Sequence, residues 1–265
     1  CLLCQISQKR AKAQGLLHLE DVGSVDPQVA LLLLRQCGSF CKMVHVHLDR
    51  STPPSLMADA LQMFDNDIHP AFAECTAVPA FGNSWRPAQL SLSRGGLGLR
   101  SLSHHSAAAY ISSVSASEQC SVSMSHLSTS VNLFNALISP ADAIILDDIV
   151  SSPYHRCTLC SKIENQQFQL LFNHLSLPDR ARLLSVSSPH AVAWLSVIPS
   201  PGLNLHMDPP EFQIALKLWL GMDLAQGLKC TFCPSLALDH LGHHAITCKH
   251  GGDVVTRHNK LCGLL

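Results

Sequence analysis

Between residues 229 and 252 the chain reads KCTFCPSLALDHLGHHAITCKHGG, with three cysteines and four histidines in a stretch otherwise suited to turns and short helix. Thiolate and imidazole are the donors that zinc prefers, and a structural site needs four of them in a tetrahedron. A CxxC turn at Cys230 and Cys233 sets two sulfurs on one side. A short helix then offers His243, and Cys248 lies about one turn further on. The spacing Cys230-x2-Cys233-x9-His243-x4-Cys248 is a complete C2HC set within one short segment. His240 and His244 are alternative third ligands. Four protein ligands leave no coordination position open, so the expectation is a structural zinc that staples the tail. A zinc hydrolase using His243 or His244 with Asp253 is the catalytic alternative, and a closed cysteine-rich set argues against it.

Other residues invite chemistry less strongly. Cys1 and Cys4 form another CxxC, and Cys157 and Cys160 a second candidate pair beside His155 that lacks local partners for a complete metal site. Asp65, Asp67 and His69 read as a solvated helix face. Asp147 and Asp148 follow an apolar run, yet two-metal polymerase chemistry needs a further carboxylate on a neighbouring strand, and no strand-rich sequence precedes them. They read as exposed acids on a helix or turn. The segment SRGGLGLRS packs three glycines into four positions, without the βαβ context of a dinucleotide fingerprint. Arg86, Arg94 and Arg100 lie in a stretch that has no acidic residue between Glu74 and Glu118. Two readings stay open for it: a tight turn entering the next helix, or a basic loop set against a phosphate backbone. Lys229, Lys249, Arg257 and Lys260 outweigh Asp239 and Asp253 around the cysteine–histidine cluster, and basic flanks suit a polynucleotide backbone.

The elements that must position these residues read as helices. Asp26 and Pro27 open one, with Ala30, Leu33, Leu34, Cys37, Cys41 and Val44 on its apolar face. Ser51 or Thr52 caps a second, striped by Leu56, Met57, Leu61, Phe64 and Ile68. A third covers SHHSAAAYISSVSAS. Residues 112–140 are serine-rich and read as a surface connection. Helical patterns resume over residues 164–202, broken at Pro178 and Pro189. Phe212, Ala215, Leu216, Trp219 and Leu220 mark a strong amphipathic helix. No repeat, heptad or convincing strand is visible.

Composition bounds the answer. The 265 residues are 47% hydrophobic and 14% charged, enough apolar material for a real core, and the formal net charge is −1. Whole-chain charge gives no support for nucleic-acid binding, so any basic face is local. No apolar run is long enough to span a bilayer. Twelve cysteines, three pairs of them as CxxC, fit a reducing compartment with metal-bound or buried thiols, which implies an intracellular setting, nuclear or cytoplasmic. The start at Cys1 and the end at RHNKLCGLL read as breaks inside a longer protein.

Three segments in order, WRPAQLSLSRGGLGLRS, ARLLSVSSPHAVAWLSVIPS and CTFCPSLALDHLGHHAITCKHGGDVVTRHNKL, resemble the carboxyl-terminal part of the reverse transcriptase polyprotein of non-LTR (LINE-type) retrotransposons. The resemblance implies a mainly α fold: a thumb-like helical region over 1–75, a Gly/Arg loop and Ser-rich connection over 76–140, a helical connector over 141–228, and a C2HC zinc knuckle with a truncated helix over 229–265. It implies RNA and DNA as partners, contacted by Arg86, Arg94, Arg100, Lys229, Lys249, Arg257 and Lys260. The catalytic palm of that family lies upstream and its endonuclease downstream, so the resemblance implies binding without catalysis. A helical interaction or structural domain with a stapling zinc, or a decayed remnant, is the alternative.

Overall fold

The computed structural model describes residues 26–40, 52–80, 82–116, 123–151, 154–224, 227–233, 238–251 and 253–263, with the side chains of Asn83, Val150, Ser151, Ile246, Asp253, Arg257, Lys260 and Leu261 left out. Twelve α-helices and no β-strand occur among the described residues. They are α1 (Pro27–Leu33), α2 (Ala58–Thr76), α3 (Trp85–Gln89), α4 (Leu102–Ser115), α5 (Met124–Asn135), α6 (Leu146–Ser151), α7 (Arg156–His174), α8 (Leu177–Val186), α9 (Ala193–Ser196), α10 (Pro209–Leu220), α11 (His243–Thr247) and α12 (Asp253–Cys262). The mainly α expectation is met. Cys1, Cys4, Cys41, Val44, Ser51 and Pro234 lie outside the described residues.

Helix starts follow local chemistry. Asp26 Oδ1 accepts from the backbone N–H of Gln28 and Val29, both at 3.0 Å, and Pro27 occupies the first position of α1, where a missing N–H costs nothing. Helix α1 widens into a π turn over Leu34–Gly38. Ala30, Leu31 and Leu34 of this segment pack on Leu61, Phe64, Ile68 and Phe72 of α2. Leu97, Leu99 and Leu102 of the Gly/Arg segment and Phe212, Leu216, Trp219 and Leu220 of α10 complete the same core. It takes side chains from residue 30 to residue 220, so the amphipathic face expected for α10 closes over a surface built by the first two helices.

A second core lies between α4, α5, α6 and α7, centred on Tyr110, Ile111, Phe134, Leu159 and Ile163. Helix α4 joins the two. Its first residue, Leu102, is buried in one core and its Ala107, Ala108 and Ile111 in the other. Two corrections arise here. The segment read as a serine-rich surface connection contains α5, and its Leu127, Val131 and Phe134 are buried at helical spacing. Serine and threonine between them dilute the apolar signal, and burial against α4 outweighs modest propensity. Asp65, read as solvated, caps α4 from α2: it accepts from the backbone N–H of Leu102 at 2.6 Å and Ser103 at 3.0 Å, and from the hydroxyls of Ser101 and Ser103. Sequence pattern marks a local cap but not one delivered from a distant helix. Asp147 and Asp148 are exposed in the first turn of α6, as expected. No helix among the described residues is long and apolar enough to cross a membrane.

Candidate metal centre

Cys230, Cys233, Cys248 and His244 each point one ligand atom into a common space, and these atoms lie within 4.8 Å of one another. The Cys230 Sγ to Cys248 Sγ distance is 3.8 Å, and Cys233 Sγ to Cys248 Sγ is 3.7 Å. A disulfide would need about 2.05 Å, so the sulfurs are not bonded to each other. A tetrahedral ion with bonds to sulfur of about 2.3 Å separates its ligands by roughly 3.8 Å along each edge. The two distances from Cys248 match the edges such an ion requires. All three cysteines are buried and pack on Leu238 in a small cluster separate from the helical cores.

The histidine differs from the first choice made on spacing. His243 is at the surface, its side chain 64% exposed and its Nδ1 3.2 Å from Asp239 Oδ2. His244, the neighbouring alternative, turns inward, and its Nε2 is buried without a hydrogen-bond partner among the described residues. A buried imidazole nitrogen left without a partner costs free energy, and a metal ion would relieve that cost. The reason for the switch is helix phase. Gly242 enters α11 at φ 72°, a left-handed conformation that glycine adopts without strain. Asp239 then accepts from the backbone N–H of His243 at 3.0 Å and of His244 at 2.7 Å, anchoring the start of α11. That anchor fixes the rotation, and successive side chains on a helix point about 100° apart. His240 is exposed and stays out of the cluster.

Electrostatics favour an anion at Cys248. Hydrogen bonding from the His250 backbone N–H, and from Gly251, brings its thiol below the ordinary value, against the raising effect of burial. Cys233 is pushed up to about 11, first by burial and then by its neighbour Cys248. A divalent cation among the three sulfurs would favour their ionised form. At Asp239, burial raises the carboxyl, and the N–H donors of His244 and His243 outweigh it to leave a lowered value.

The basic residues divide by environment. Lys229 and Lys249 are exposed on either side of the cluster. The backbones of Arg257 and Lys260 lie in α12, and their side chains lie outside the described residues. Arg86 is exposed and borders a cavity of about 340 Å³ with Gln89, His104, Gln167 and His174. Arg94 donates to Asn165 Oδ1 and lies 5.7 Å from the Phe168 ring centroid. Arg100 pairs with Glu164 at 2.8 Å and lies 5.8 Å from the Phe40 ring. Both arginines thus tie the Gly/Arg segment to α7, a structural use that residue type alone does not reveal.

The glycines of SRGGLGLRS make a tight turn. Gly95 and Gly98 have φ of 74° and 76°. A Cβ on Gly96 would fall 2.1 Å from the Leu90 carbonyl oxygen. The turn folds back on the end of α3 through Gly96 N–H to Ser91 O and Gly98 N–H to Leu90 O, and the Gly95 carbonyl accepts from Trp219 Nε1 at 2.8 Å. Cys157 is exposed at the start of α7, and Cys160 is buried among apolar side chains, with burial pushing its thiol up to about 11. Neither joins a metal-like group among the described residues. No protein-family model matches the chain, and neither the curated proteins nor the solved structures contain a match to it.

Proposed function

We propose that the chain is the polynucleotide-handling, carboxyl-terminal part of a non-LTR retrotransposon reverse transcriptase, built as a helical body with a zinc-stapled lobe that grips the nucleic-acid backbone. The observation that carries the reading is the Cys230, Cys233, His244, Cys248 cluster, whose donor atoms lie within 4.8 Å and whose flanks expose Lys229 and Lys249. Three thiolates and one imidazole are a closed, soft donor set, which selects zinc over harder cations and leaves no position for substrate. The order of the three sequence segments supports the family assignment. On this reading the role is binding, because a closed zinc site supplies no activated water.

Zinc, when bound, neutralises the thiolates and holds the 227–263 lobe in shape. The chain's own residues do the rest. Asp239 sets the rotation of α11, the His250 and Gly251 N–H groups steady the Cys248 sulfur, and the two lysines face solvent where phosphates can reach them. The test is metal analysis of purified chain followed by a salt series of nucleic-acid binding. We expect one zinc per chain and an affinity that falls linearly with log salt concentration. Replacing Lys249 by Gln should lower that slope by about one unit. A flat salt series, or a chain free of zinc with alkylatable thiols, sinks the reading.

A second reading has its own observation. Arg94 and Arg100 are held within the chain by Asn165, Phe168, Glu164 and Phe40. That pattern suits a helical interaction domain in which zinc staples a lobe and no basic surface extends onto the body. Nucleic-acid affinity that survives Lys229→Gln and Lys249→Gln unchanged would favour it.

A further inference from the structure

We infer that Phe232 is a stacking platform for an unpaired base, so that the metal lobe takes single-stranded polynucleotide in preference to duplex. The inference rests on the binding role proposed above and deepens it. Phe232 lies inside the metal-binding loop, between Cys230 and Cys233, where a small or polar residue would serve the turn equally well. Its side chain is 53% exposed although the cysteines on both sides are buried. The ring is supported from behind. A Cβ on Gly251 would fall 2.7 Å from ring atoms Cδ2 and Cε2, so the bare Gly251 backbone lies directly against the ring. Gly251 thereby backs the aromatic from the segment that follows Cys248, and more than half of the Phe232 side chain stays open to solvent.

Charge decides between candidate occupants. Lys229 and Lys249, each adjacent in sequence to a metal-binding cysteine, are exposed, and His250 beside them is exposed too. Of the two acids near the cluster, Asp239 is committed to the N–H groups of His243 and His244, and the side chain of Asp253 lies outside the described residues. An aromatic face set among cations matches a base with its flanking phosphates. Base–aromatic stacking is tolerant of sequence because every base presents a π face, and bases in a duplex are already stacked and closed to it. An apolar pocket of a protein partner would not require the lysines.

The experiment uses the full chain loaded with zinc and a short labelled single strand, with the matching duplex as comparison. The variants are Phe232→Ala and Phe232→Trp, each checked for zinc content. Phe232→Ala should keep its zinc, lose single-strand affinity on the order of tenfold, and bind duplex as before. Phe232→Trp should retain affinity, and its added indole emission should be quenched on binding the strand. Equal single-strand affinity for wild type and Phe232→Ala overturns the stacking role, and with salt-dependent binding intact it leaves the proposed function standing. If Phe232→Ala loses zinc, the tryptophan variant decides, and unquenched emission on a bound strand overturns the inference. A wild-type chain that holds zinc but binds neither nucleic acid removes both.

Discussion

At His105 a single buried side chain makes fold stability depend on pH. The ring packs edge-on to Phe40, Nδ1 lies 2.9 Å from the Ser101 carbonyl, and burial, aided by the Arg100 charge, lowers its value to about 4. The unfolded chain binds this proton near pH 6.5, and the folded chain does not until about pH 4. Stability from this group is therefore full above 6.5, falls as pH drops from 6.5 to 4, and is level below that. The loss amounts to about 3 kcal/mol across the window. Denaturant melts of the wild type at pH 7 and pH 4.5 should differ by most of that amount, and His105→Gln should flatten the difference. An unchanged pH dependence in the variant would count against the assignment. The metal cluster offers a second single-residue contrast. His244→Ala should cost zinc affinity severely, whereas His243→Ala should leave zinc bound, because only the former side chain belongs to the cluster.

One carboxylate of α2 caps α4, and the Gly/Arg turn is bound to α3 and its end through backbone hydrogen bonds to Ala88, Leu90 and Ser91. Asp65→Ala removes a cap that serves two backbone N–H groups and two hydroxyls of another helix. Loss of a helix cap costs about 1–2 kcal/mol, and thermal melting should show a cost at the upper end of that range because four donors lose their acceptor. Gly96→Ala forces a methyl to within 2.1 Å of the Leu90 carbonyl oxygen, which backbone movement must relieve. A destabilisation of about 3 kcal/mol is expected from such overpacking. The same variant at Gly202, whose Cβ position is open, should be nearly neutral and serves as the control.

The described chain has a helical body with cores shared across distant segments and a lobe whose buried centre is cysteine. Three buried thiols and a leucine are too little apolar surface to hold a lobe by themselves, so on the proposed reading metal binding and folding would be linked there. Chelation should therefore unfold residues 227–263 and leave the body intact. Far-UV circular dichroism should fall slightly while Cys230, Cys233 and Cys248 become reactive to alkylation. A single cooperative loss of all helical signal on chelation would show that the body depends on the metal as well.

The periodic apolar residues of α1 and α10, Leu61, Phe64 and Ile68 of α2, the Asp26 cap and a cysteine–histidine cluster able to hold a metal were legible in the residue order, because each rests on spacing along one stretch of backbone. Leu56, expected on the same stripe, is instead exposed ahead of α2. Helix α5 was missed, its three buried apolar residues being thinly spread among serines. Packing alone settled the remainder. The choice of His244 over His243 turns on a rotation set by Gly242 and Asp239. The capping role of Asp65, and the internal ties of Arg94 and Arg100 to α7, join residues dozens of positions apart. Local pattern carries information about neighbours within a turn or two of chain, and these contacts exist only once separate helices have met.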